Sequence, residues 1–122
     1  MSQRNDPRYP RTARVNELVR EIVADELAEL DDSRLDLVAV TQVAVDRDLH
    51  QAVVYYDSLT GAEADDEVQA ALGEHRVRLQ AAIGRQARLR RTPHLVFRAD
   101  DVERGAARIE GILRDLSDDH PE

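Results

Sequence analysis

The sequence contains no cysteine, no lysine and no tryptophan. Without cysteine there is no disulfide, no thiolate zinc site and no cysteine nucleophile, and a reducing compartment suits the chain. Aromatic residues make up 3% of it, namely Tyr9, Tyr55, Tyr56 and Phe97. That is too few for the stacking platforms that hold single-stranded bases. No apolar run approaches the roughly 18 residues of a membrane-spanning helix. The polar, arginine-bearing N-terminus lacks the apolar stretch of a secretory signal. These absences point to a cytoplasmic protein with no membrane partner. The histidines, His50, His75, His94 and His120, are scattered without ligand spacing and stand beside no serine or cysteine nucleophile. No metal, no cofactor, no small-molecule substrate and no enzymatic activity are therefore expected.

What is present suffices for one domain: 122 residues, of which 42% are apolar. The net charge of −8 hides a block pattern. Residues 1–20 carry a net +3, residues 21–75 a net −13, residues 76–98 a net +7 and residues 99–122 a net −5. The basic block 76–98 holds seven arginines and no acid. Arginine is the side chain that forks best onto phosphate oxygens.

Residues 1–12 contain Pro7 and Pro10 among polar residues and read as a flexible basic arm. A domain follows over 13–116, and 117–122 form an acidic tail. Val15, Leu18, Val19, Ile22, Val23, Leu27 and Leu30 follow helical spacing, with Thr12 as a candidate cap. Leu37 to Val45 reads as a strand. Leu37, Ala39, Thr41, Val43 and Val45 share one face, and Val38, Val40 and Ala44 share the other. Apolar residues on both faces predict a central strand. Asp46-Arg47-Asp48 supplies turn residues leading into a second strand, Ala52 to Tyr56. Residues 62–91 read as helix with a break near 73–77, since Arg76 would otherwise fall on the apolar side. Thr92-Pro93 is expected to end it. Leu95 to Phe97 is a short third strand, and 102–116 an amphipathic helix. The fold class is α+β, with a three-stranded sheet and helices on one face. Its core is expected to bury Val15, Leu18, Ile22, Leu37, Val43, Val54, Leu79, Ile83, Leu95 and Phe97.

Three stretches in this order resemble the ribosome-binding factor A family. They are Asp32-Ser33-Arg34-Leu35 before the first strand, Asp46-Arg47-Asp48-Leu49 with Ala52 and Val54-Tyr55, and Arg88-Leu89-Arg90 with Thr92-Pro93-His94-Leu95-Val96-Phe97 and Asp100. Glu103, Gly105, Arg108 and Ile109 continue the pattern. The resemblance spans Arg14 to Leu113 and implies a type II KH-like domain, α-β-β-α-(kink)-α-β. The family's Ala-x-Gly at the kink corresponds to His75-Arg76-Val77. Members bind the small ribosomal subunit and its rRNA, assist maturation of the 5′ end of the small-subunit rRNA precursor and are linked to cold adaptation, without catalysis.

Site residues follow from charge. On a helix over 77–89, Arg78, Arg85 and Arg88 project within an arc of about 80°, opposite Leu79 and Ile83. Such a row suits an RNA backbone. Arg76, Arg90 and Arg91 complete the basic block. Arg90 and Arg91 serve equally well as cations at a helix C-terminus. Arg11 and Arg14 belong, with Arg4 and Arg8, to a second basic element, suited to ordering on RNA and equally readable as a tail without a role. The competing function is a protein-interaction α+β domain, homodimeric through its open sheet face. The rRNA-binding reading expects a monomer.

Overall fold

The computed structural model describes residues 11–102. Helix α1 (Arg11–Glu29) is followed by a 3-10 turn at Ser33–Leu35 and strands β1 (Val38–Val45) and β2 (Gln51–Ser58). A 3-10 turn at Gly61–Ala64 leads into α2 (Asp65–Glu74), α3 (Arg76–Gln86) and strand β3 (His94–Ala99). This is the expected α-β-β-α-break-α-β order, with the break at His75. The helix expected over 102–116 lies outside the described residues but for its start. So do the tail 117–122 and the arm up to residue 10. Arg11 and Thr12 belong to α1, so Thr12 sits within the helix instead of capping it.

Helix α1 buries Val19, Ile22 and Val23, and an ion pair between Arg20 and Glu17 supports its outer side. Leu18, expected in the core, is 37% exposed. It lies about 100° round the helix from Val19, past the edge of the buried line.

The sheet order is β1-β2-β3, with β1 and β2 antiparallel and β2 and β3 parallel. The expectation that the first strand is central is therefore wrong: β2 is central and β1 is an edge. The cause is a bulge. The register shifts between Val40 and Gln42, so Thr41 is an extra residue. Val38 and Val40 thereby share the inner face with Val43 and Val45. Under unbroken alternation, one apolar face looks like two. The same shift turns Leu37 outward, 49% exposed, against the expectation of burial. Strand β2 alternates cleanly, with Ala52, Val54 and Tyr56 buried and Val53 and Tyr55 half-buried on the other side. Pairing sets Ala52 beside Leu95 and Val54 beside Phe97. The helices cover this face with Val68, Ala71, Leu72, Leu79, Ala82 and Ile83.

The α2–α3 break is tied to the turn after α1. Asp32 accepts from Arg34 Nε at 2.9 Å and Nη2 at 2.7 Å, and from His75 Nε2 at 2.9 Å. Arg34 Nη2 also meets Glu74 Oε1 at 2.7 Å. Hydrogen bonds from Arg34, then from His75, hold the Asp32 carboxyl well below the usual aspartate range. A folded-state value below the unfolded one adds stability above the unfolded pKa and loses it as pH falls. The stability advantage of the native chain over Asp32→Asn should thus be complete near neutrality and shrink below about pH 4. Urea titrations of both chains across acid pH measure it; a gap independent of pH contradicts the ion-pair account.

Helix α3 ends at Gln86, well before Pro93. Ala87 takes extended angles, φ −99 and ψ 136. Its methyl group is buried, as is Pro93, and Leu89 packs against the core. The segment 87–93 is a bent, non-helical return to the start of β3, which a continued helix would overshoot.

Candidate nucleic-acid interface

The early end of α3 rearranges the expected basic face. Arg88 leaves the helix, so Arg78, Arg85 and Arg88 do not share one helical surface. Arg90 and Arg91 lie on the 87–93 segment, not at a helix terminus. Two arginines are occupied within the protein. Arg76 is half-buried, donates from Nε to the Leu95 carbonyl at 3.0 Å, and lies over the Phe97 ring at 5.6 Å. Arg78 donates from Nε to Glu26 Oε2 at 2.7 Å, joining α3 to α1. The arginine that marks the break in the sequence thus also clasps β3 to α3. Arg76→Gln should lower stability by about 1–3 kcal/mol, through removal of a charged hydrogen bond and of the cation above the ring. Thermal unfolding of the two chains reads this; an unchanged midpoint would mean the clasp contributes nothing.

The remaining cations gather where the β1–β2 turn meets the 87–93 segment. Asp46 Oδ1 accepts from the His50 N–H at 2.7 Å and the Gln51 N–H at 3.4 Å, which is the turn role expected of it. Leu49 takes a positive φ of 60, and its side chain packs against the core. The His94 N–H donates to the His50 carbonyl at 2.9 Å. Arg91 Nη1 donates to His50 Nδ1 at 2.9 Å. These bonds fix the two loops side by side. Within Arg88-Leu89-Arg90, Leu89 anchors inward while both arginines are exposed.

Arg47, Arg85, Arg88, Arg90 and Arg91 are all exposed on these segments or beside them, and Asp46 and Asp48 are the acids in the turn. Exposed Arg14 joins this end through α1, where Asn16 Oδ1 accepts from the Val45 N–H at 2.8 Å. Arg11 opens the same helix. Sequence reasoning missed Arg47 and His50. Their partners lie across space, 41 residues apart for His50 and Arg91, and no spacing announces that. The opposite end of the sheet carries Asp36, Asp57, Glu63, Asp65, Asp66 and Glu67.

A rim of exposed guanidiniums on rigidly tied loops can fork onto phosphate oxygens and displace counterions. Among the described residues no group of three or more histidines or carboxylates is placed to hold a metal ion. No described helix is long and apolar enough to cross a membrane.

The family model for ribosome-binding factor A matches residues 11–113. Over 111 residues the chain is 43% identical to ribosome-binding factor A of Rubrobacter xylanophilus, covering 88% of each chain. The fold resembles the crystal structure of ribosome-binding factor A from Thermus thermophilus, with TM-score 0.66 and 31% identity over 72% of this chain and 94% of that one. It also resembles a homology model of the Thermus thermophilus factor as fitted into the cryo-EM map of a 30S complex, with TM-score 0.57, 31% identity, and coverage of 68% and 88%.

Proposed function

The chain belongs to the ribosome-binding factor A family, and from that premise we propose that it binds the immature small ribosomal subunit and its rRNA in the cytoplasm. It assists maturation of the rRNA 5′ end by docking, without catalysis of its own. The supporting observation is the arginine rim at the turn end of the sheet. Arg85, Arg88 and Arg90 are the phosphate contacts, with Arg91 and Arg47 beside them and Arg14 extending the surface along α1. Arg76 and Arg78 hold the domain together instead.

In this reading the factor props a local rRNA conformation and leaves when the site it occupies is remodelled. The affinity rests on counterion release, so it falls steeply with salt. In sucrose gradients the protein should travel with free small subunits and not with full ribosomes. Raising salt from about 50 to 200 mM should strip it from them, by about a hundredfold or more in affinity if several phosphates are engaged. Retention that ignores salt would speak against a phosphate-tracking interface.

A further inference from the structure

Two leucines are exposed at the end of the sheet away from the arginine rim. Leu59 is 85% exposed and Leu37 is 49% exposed. The Leu59 N–H donates to the Leu37 carbonyl at 3.1 Å, so they stand opposite each other where β1 begins and β2 ends. A cleft lined by Ser33, Leu37, Ser58, Thr60, Glu63 and Glu67 adjoins them. One wall is fixed, with Ser58 Oγ 2.8 Å from Thr60 Oγ1 and accepting from the Thr60 N–H at 3.2 Å. Arg34 also lines the cleft, but Asp32 and Glu74 hold its guanidinium. The side chains of Glu63 and Glu67 make no hydrogen bond or ion pair among the described residues. An apolar pair beside uncompensated carboxylates repels an RNA backbone. It fits a polypeptide whose apolar side chain is flanked by arginine or lysine.

We propose that Leu37, Leu59 and the Glu63–Glu67 cleft dock a basic segment of a small-subunit protein while the arginine rim holds rRNA. This rests on the function proposed above and adds a second partner. The apolar side chain of the segment covers the two leucines, and its cations meet Glu63 and Glu67. The domain then recognises a place where protein and RNA stand a sheet's length apart.

The test uses the full chain with Leu59→benzoylphenylalanine, bound to purified free small subunits and irradiated. A crosslink to a basic small-subunit protein is expected. A crosslink to rRNA, or none in particles that carry the factor, overturns the proposal. If the native chain does not bind the particles at all, the parent function fails, and this inference with it. In parallel, Leu59→Asp changes an exposed side chain and should leave folding intact. It should weaken small-subunit binding about tenfold with the salt slope unchanged, because every phosphate-binding arginine is still in place. Binding equal to the native chain would also overturn it.

Discussion

Reversal of Arg85, Arg88 and Arg90 to glutamate should abolish sedimentation with the small subunit. Each side chain is exposed. A charge-assisted hydrogen bond from one guanidinium to phosphate is worth about 1.5–3 kcal/mol. Removing three of them weakens affinity by more than about a thousandfold, before the new repulsion is counted. Folding should survive, since exposed substitutions shift stability by about 0.5 kcal/mol or less each. The unfolding midpoint of the variant checks that. Glu21→Arg with Asp25→Arg is the matched control on the exposed side of α1. It should bind at least as well as the native chain, through the longer-range field. Should the arginine variant bind normally while the control fails, the rim does not face rRNA.

Leu79→Ala should cost about 2–5 kcal/mol, as large-to-small changes in a packed core do. Leu79 is fully buried in the cluster that joins α3 to Val54 and Leu95 of the sheet. A domain of this size has about 5–15 kcal/mol in total, so the variant should show a large drop in urea midpoint. A decrease of only a few tenths would mean that α3 is packed in another register.

Much of this architecture was legible in the sequence. Helix spacing in α1, Leu18 apart, and the alternation of Ala52, Val54 and Tyr56 each report a single buried face, so pattern and structure agree there. The break was legible because an arginine at 76 contradicts an unbroken apolar stripe. Three features were not. The Thr41 bulge moves one face onto the other, and unbroken alternation cannot show it. The exit at Ala87 is set by where β3 must begin, a constraint that arises only once the sheet exists. The division of the arginines into clasps and free cations depends on partners at a distance: Glu26 for Arg78, and the Leu95 carbonyl and Phe97 ring for Arg76. Charge counting marks a basic block but not which of its members faces outward.

The arginines at one end of the sheet and the carboxylates at the other also bear on the kinetics of arrival. So divided, the described residues carry a permanent dipole along the strands. Near a ribosomal particle the field of the rRNA exerts a torque on it, turning the arginine end inward before the surfaces touch. Fewer collisions are then wasted on wrong orientations, despite a net charge of −8 that repels the particle on average. Salt should therefore slow association more than it hastens departure, and at high ionic strength the domain should meet the subunit as an unoriented, weakly repelled body.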